Sequence, residues 1–164
     1  MNADPKETEF LQLIQKHQGI LHKTCFMYGR DHAHKEDLYQ EILLQLWKSF
    51  PSFRGRSAFS TWMYRVALNT AITLTRKPNL FTDTGKVPVV PCEMDDPDGV
   101  SEDIQTLYRA ISQLNRVEKG IILLWLEERS YEEIAGIMGI TVKNVSVKLV
   151  RIKARLAEII KKIQ

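Results

Sequence analysis

The chain has 164 residues, of which 44% are hydrophobic and 26% charged, and a formal net charge of +3. This composition is typical of a globular protein and excludes a disordered chain, and the length allows one ordinary domain or two small ones. No stretch approaches the roughly 20 apolar residues that span a bilayer, and no apolar run follows a basic start at the N-terminus. We therefore expect no membrane insertion and a cytoplasmic location.

Charge is divided unevenly along the chain. Residues 1–78 carry 11 Lys and Arg against 7 Asp and Glu, residues 79–101 carry 1 against 5, and residues 102–164 carry 11 against 8. Two basic segments that flank an acidic one favour nucleic-acid binding more than the total charge does. Cys25 and Cys92 have no CxxC spacing, so neither a disulfide framework nor a metal site is expected.

The first predicted elements are helices. Helical periodicity dominates residues 9–75, and Gly, Pro and polar clusters interrupt it at 29–31, 51–52 and 54–57. This pattern predicts three or four helices. Strand-like alternation is almost absent, so the fold class is all-α.

A linker follows the first helices. Residues 78–101 contain four of the six prolines and the acids Asp83, Glu93, Asp95, Asp96 and Asp98. A second helical unit, residues 102–164, is interrupted at 112–117, 128–130 and 139–141. We therefore predict two small helical domains joined by a flexible linker. The acids either mimic nucleic-acid charge or form a plain solvated linker.

The second unit contains a predicted helix-turn-helix. Ser130 and Glu133 form a capping box at the start of one helix, which ends at Gly139, and Thr141 caps the next helix. The turn between the two helices is about three residues long, which is the spacing of a helix-turn-helix.

The last helix has two faces. A helical wheel puts six apolar residues on the core side: Val145, Leu149, Ile152, Leu156, Ile159 and Ile160. The opposite side carries Asn144, Val147, Lys148, Val150, Arg151, Ala154 and Arg155. Such a face fits a major groove, because cations bind phosphates or guanine edges and small apolar groups contact thymine methyls. A solvated basic face is the alternative interpretation.

A helix over residues 36–50 carries a candidate protein-contact patch. Its inward face contains Leu38, Ile42, Leu43 and Leu46. Its opposite face contains Asp37, Gln40, Glu41 and Lys48, with Leu44 among them and Trp47 at the margin. A leucine exposed among polar residues indicates a protein contact, and chance exposure is the alternative.

Aromatic and basic residues interleave over residues 53–69. Aromatic rings stack on unpaired bases and cations hold the backbone, which is the chemistry that single-stranded nucleic acid requires. Phe59 and Trp62 are spaced i,i+3, with Val66 one turn further on, and are expected to serve mainly as core.

Three segments now stand in an order typical of one family. They are Glu36-Asp37-Leu38-x-Gln40-Glu41-x5-Trp47, then Phe53-Arg54-Gly55-x-Ser57-x-Phe59-x-Thr61-Trp62-x-Tyr64-Arg65-x-Ala67-x-Asn69, and then residues 130–155. The chain thus resembles the extracytoplasmic-function group of the sigma-70 family over nearly its whole length. The resemblance implies an alternative sigma factor, which directs bacterial RNA polymerase to promoters and is not an enzyme.

The resemblance implies two roles for the first domain, residues 1–77. One is binding of the clamp helices of the polymerase beta-prime subunit by Asp37, Gln40, Glu41, Leu44 and Trp47. The other is melting and reading of the minus-ten promoter element by Phe53, Arg54, Arg56, Tyr64, Arg65, Val66 and Asn69. Phe53 and Asn69 would shape the pocket of an extruded base, which Val66 would line.

The resemblance implies that the second domain, residues 102–164, reads the minus-35 element and contacts the beta flap. Its candidate DNA contacts are Lys143, Asn144, Val147, Lys148, Val150, Arg151 and Arg155. Ser146 and Val147 stand where the family commonly has a basic residue and Ser, so no minus-35 sequence is transferred. An anti-sigma factor is a further expected partner.

Two other classes of function are weighed against this one. A helix-turn-helix repressor or activator explains the second unit but not the pattern of residues 53–69. An enzyme would need a Gly-rich phosphate loop, a metal-ligand set or a nucleophile–base pair, and none is recognisable in the sequence. No cofactor and no catalytic residue is therefore expected.

Overall fold

The computed structural model describes residues 4–76 and 101–164, which form helices, turns and short connections without β-strands in these ranges. The chain divides into two compact units, Met1–Met94 and Asp95–Gln164. The predicted all-α fold of two small helical domains is confirmed. The predicted linker, residues 78–101, lies outside the described residues except for Ser101. Within the described ranges, no helix is long and apolar enough to cross a membrane.

The first unit consists of four α-helices and one short 3-10 turn. The helices are α1 (Pro5–Lys16), α2 (Gln18–Tyr28), α3 (His32–Ser49) and α4 (Phe59–Arg76), and the turn, Phe50–Ser52, follows α3. The breaks before α3 and before α4 fall at the predicted clusters, residues 29–31 and 51–57, whereas the break at His17 between α1 and α2 is not predicted by any such cluster.

The core of the first unit lies among its helices, and α3 packs against both α2 and α4. The four predicted inward side chains of α3, Leu38, Ile42, Leu43 and Leu46, are completely buried. Burial of each such side chain stabilises the fold by about 1.5–3 kcal/mol before entropy costs are subtracted. The predicted core face of α3 is confirmed.

The second unit consists of α5 (Glu102–Ile111), α6 (Arg116–Leu126), α7 (Tyr131–Met138) and α8 (Val142–Ile163). Helix α8 is 22 residues long and packs against each of the other three helices.

The core face of α8 is largely as predicted. Val145, Leu149, Ile152 and Leu156 are buried, whereas Ile159 and Ile160, near the end of the helix, are half-buried.

Candidate nucleic-acid interface

Helices α7 and α8 form the predicted helix-turn-helix. The Ser130 hydroxyl accepts a hydrogen bond from the Glu133 backbone N–H at 3.1 Å, and the Glu133 carboxylate accepts one from the Ser130 N–H at 3.4 Å. Gly139 ends α7 with φ +70°, a left-handed conformation that glycine adopts without strain. Thr141 caps α8 by accepting a hydrogen bond from the Asn144 N–H at 3.1 Å. The three-residue turn therefore fixes where α8 begins.

The face of α8 opposite the core is open to solvent. All seven side chains predicted for that face, from Asn144 to Arg155, are exposed, as is Lys143. Val147 is 42% exposed and Val150 is 68% exposed, although both are apolar. The face thus combines cations with small apolar groups.

Two of the α8 cations border a groove that the sequence does not indicate. Lys148 and Arg151 line an open groove of about 460 Å³ together with residues 115–118 at the start of α6. Arg116 adds a third cation to its wall. Burial, and in second place the Arg116 guanidinium, lowers the pKa of the neighbouring Lys119. Arg116 was missed because only tertiary packing brings the start of α6 beside the middle of α8.

Arg155 has a partner within its own unit. Its Nη1 lies 3.1 Å from Oε1 of Glu118, and the same carboxylate oxygen accepts a hydrogen bond from the Asn115 N–H at 3.0 Å. The Arg155 side chain keeps 51% of its surface exposed. It therefore ties the second half of α8 to the start of α6, while the other cations of the face lie nearer the turn.

In the first unit, one face of α4 carries a half-exposed strip. Phe59, Trp62 and Val66 are half-buried and Asn69 is exposed, and the four follow one another at intervals of three or four residues. The Phe53 ring packs on this strip, with its centroid 5.6 Å from that of Phe59 and 5.1 Å from that of Trp62. The loop before α4 and the face of α4 thus form one surface, here called the aromatic platform.

The loop that carries Phe53 also presents two cations. Arg54 and Arg56 are exposed on either side of Gly55, which has φ +71°. A residue with a Cβ is strained in this conformation, so glycine allows the sharp turn between the two arginines. Arg65 is exposed on α4 itself. Aromatic and basic groups therefore share the exposed side of the loop and helix.

The prediction that Tyr64 belongs to this surface is wrong. Tyr64 is only 1% exposed and lies on the buried face of α4 with Met63, Ala67 and Leu68. Its position two residues after Trp62 turns it about 200° around the helix, away from the platform. Tyr64 therefore belongs to the core and is not available to DNA.

The predicted contact patch on α3 also needs correction. Leu44 is 4% exposed and Glu41 is 2% exposed, so both are buried. The Trp47 ring packs edge-on against Phe10 of α1, with centroids 5.0 Å apart. Because α3 also packs against α2 and α4, it is enclosed on more sides than a wheel with one core face assumes. Asp37 remains exposed and Gln40 remains half-exposed.

The fold and these surfaces define a helical protein with a helix-turn-helix in its second unit. Comparison with protein families adds two matches. Residues 13–79 match the family model of Sigma-70 region 2, and residues 104–156 match that of Sigma-70, region 4. Together the two matches span more than half of the chain.

Comparison with individual proteins narrows the assignment within this family. The chain is 31% identical over 129 residues to the ECF RNA polymerase sigma-E factor of Escherichia coli K12, covering 70% of this chain and 68% of that protein. It is 27% identical over 157 residues to the RNA polymerase sigma-H factor of Pseudomonas aeruginosa, covering 85% and 79% of the two chains. The chain therefore belongs to the extracytoplasmic-function group of the sigma-70 family. It is an alternative sigma factor that acts in transcription initiation and is not an enzyme.

Two solved structures share the fold. One is the sigma factor RpoE in complex with the anti-sigma factor NepR from Bartonella quintana, with a TM-score of 0.73 and 24% identity over 93% of this chain and 97% of that one. The other is CnrH in complex with the cytosolic domain of CnrY, with a TM-score of 0.66 and 19% identity over 94% of this chain and 89% of that one.

Proposed function

We propose that the two units divide promoter recognition between them. The first unit captures the separated strands of the minus-ten element on the aromatic platform and the arginines around it. The second unit holds the minus-35 element as intact duplex against α8. The observation that supports this proposal is the packing of Phe53 on Phe59 and Trp62, because these rings lie on the same face of α4 as the exposed Asn69.

Capture of a base at the platform follows from simple energetics. Extruding a base from duplex costs a few kcal/mol of lost pairing and stacking. Stacking on an aromatic side chain returns about 1–3 kcal/mol per base, and the exposed arginines add backbone attraction. We assign Phe53 and Val66 to the walls of the base pocket and the Asn69 amide to hydrogen bonding with the base edge. Arg54, Arg56 and Arg65 would hold the strand.

The second unit would use different chemistry. Lys143, Lys148 and Arg151 lie along the exposed face of α8, where a major groove would bring phosphates close to them. Each phosphate contact releases condensed counterions and makes binding weaker at high salt. Arg155 would act through its ion pair with Glu118, which orients it, and thus contribute less to binding than Lys148 or Arg151.

Core polymerase would meet α3 at its exposed residues. We assign the contact with the beta-prime clamp helices to Asp37 and Gln40, with the accessible edge of Trp47 beside them. Glu41 and Leu44, which are buried, would support this surface from inside the unit. The second unit would contact the beta flap, and both contacts would take place in the cytoplasm.

An anti-sigma factor is the further partner that we propose. Two proteins of the same fold are held by protein partners in their solved structures, and in one the partner is a cytosolic domain. A partner that covers the aromatic platform or the exposed face of α8 would prevent promoter binding. Such a partner would keep this sigma factor inactive until a signal releases it.

The test is transcription from promoter fragments by core RNA polymerase with and without the full chain. We expect specific initiation only with the chain present, and permanganate-reactive thymines in the minus-ten region. The variant Asn69→Ala should reduce strand opening more than closed-complex binding, because the amide acts only on an extruded base. Gln15→Ala, an exposed amide on α1, is the matched control. Equal loss of opening and closed-complex binding would contradict the assignment of Asn69.

A further inference from the structure

Two valines on the exposed face of α8 form an apolar strip in a basic surface. Val147 and Val150 are three positions apart along α8, so their Cβ atoms lie about 5–6 Å apart on the helix surface. They are 42% and 68% exposed. The buried valine of the same helix, Val145, is completely enclosed by its own unit. The core therefore does not account for Val147 and Val150.

The charges beside the strip indicate what covers it. Lys148 follows Val147 and Arg151 follows Val150, and both cations are exposed. An apolar strip bordered by cations complements a surface with apolar groups in the middle and negative charge at the edges. The major groove of DNA is such a surface wherever thymines occur, because their C5 methyl groups lie on its floor between two phosphate backbones.

We propose that Val147 and Val150 read thymine C5 methyl groups in the minus-35 element, and that they set the sequence preference of this sigma factor. The inference rests on the proposed contact between α8 and the minus-35 duplex. Base pairs rise about 3.4 Å per step. A separation of about 5–6 Å between the two Cβ atoms thus places the methyl groups on neighbouring base pairs or one pair apart. Valine makes no hydrogen bond with a base edge, so the selected feature is the methyl group.

The experiment replaces thymine by uracil, which removes the methyl group and keeps the hydrogen-bonding edge. Holoenzyme assembled from core polymerase and the full chain first selects minus-35 sequences from a randomised duplex library with a fixed minus-ten region. Each selected thymine is then replaced singly by deoxyuridine. We expect about a fourfold loss of affinity at two positions no more than two base pairs apart, as for loss of one buried methyl group.

Protein variants assign each methyl group to a valine. Val147→Ala and Val150→Ala should each weaken binding to the thymine duplex and abolish the uracil effect at one position. Val142→Ala is the matched control, because Val142 is 41% exposed on α8 but lies toward another face. It should leave both uracil effects unchanged. All three variants should melt like the parent chain, because each removes only exposed methyl groups.

The outcomes separate this inference from the proposed function. Specific transcription with no uracil effect at any position would overturn the role of the valines and leave the sigma-factor function standing. Equal loss of affinity for thymine and uracil duplexes in the valine variants would also overturn it, because the valines would then contact something other than the methyl groups. Absence of specific initiation from every fragment would instead contradict the proposed function itself.

Discussion

The two units build the surfaces that we propose for DNA binding in different ways. In the second unit a single helix, α8, carries the exposed face, and the rest of the unit holds it from behind. In the first unit a loop residue, Phe53, and a helix, α4, meet through ring contacts to make the aromatic platform. A surface on one helix tolerates changes to its exposed side chains without loss of fold. A surface made by packing depends on the same contacts that stabilise the unit.

The largest expected effect comes from placing a charge, in each unit, at an apolar residue that a helical wheel puts on the polar side of its helix. Leu44→Glu in α3 should destabilise the first unit by 3 kcal/mol or more, about the cost of leaving a buried charge without a partner. Val147→Glu in α8 should change stability by less than about 0.5 kcal/mol, because Val147 is exposed. Urea denaturation of the full chain measures both. Similar stability of the two variants would remove the contrast between the units.

The loop of the first unit offers a sharper test of the platform. Gly55→Ala should cost about 1–2 kcal/mol through left-handed backbone strain alone, because open space surrounds the added Cβ. It should also reduce strand opening, since the turn sets the positions of Phe53, Arg54 and Arg56. Gly19→Ala, in α2, also meets open space and should be neutral or slightly stabilising. Permanganate reactivity measures strand opening. If the Gly55→Ala variant opened the promoter as completely as the parent chain, strand opening would not depend on this turn.

On α8, loss of a proposed phosphate contact should weaken DNA binding without changing sequence specificity. Arg151→Ala should cost about 1 kcal/mol on every promoter and reduce the slope of log affinity against log salt by about one. Arg155→Ala should alter the slope less, because its guanidinium is paired with Glu118. Equilibrium binding across a salt series gives both slopes. An effect of Arg151→Ala that is confined to one base position would make Arg151 a base reader.

The smallest expected effect is a pH dependence of the helix-turn-helix. Hydrogen bonds from the Arg129 side chain, and then from the Ser130 backbone, lower the pKa of Glu133 in the folded chain. The stability that these bonds contribute is present above the ordinary glutamate pKa and is lost as the pH falls through the lowered folded pKa. Solvent screens the exposed carboxylate, so the effect is small. Glu133→Gln should flatten the acid limb of thermal stability, and Glu132→Gln should not.

The sequence predicts α8 well for a physical reason. A long helix with one apolar stripe has one core side, so a wheel separates Val145 and Leu149 correctly from Val147 and Val150. The capping box and Gly139 are local signals that require no tertiary information.

The wheel fails where a helix is enclosed on several sides. Leu44 and Glu41 look exposed on a wheel of α3, yet neighbouring helices bury them. Tyr64 was predicted from its aromatic character and its motif, although its angle places it on the core side of α4. Arg116 and the packing of Phe53 depend on long-range contacts that no periodicity carries.

The ring contacts of Phe53 have a consequence for the kinetics of promoter opening. Because Phe59 and Trp62 already hold this ring in the isolated chain, little side-chain freedom remains to be lost when a base arrives. A preorganised aromatic platform can capture a base during a brief spontaneous flip out of the DNA duplex. The rate of strand opening would then be limited by how often the base leaves the duplex spontaneously. That frequency depends on whether the base-pair steps of the promoter are A·T-rich or G·C-rich.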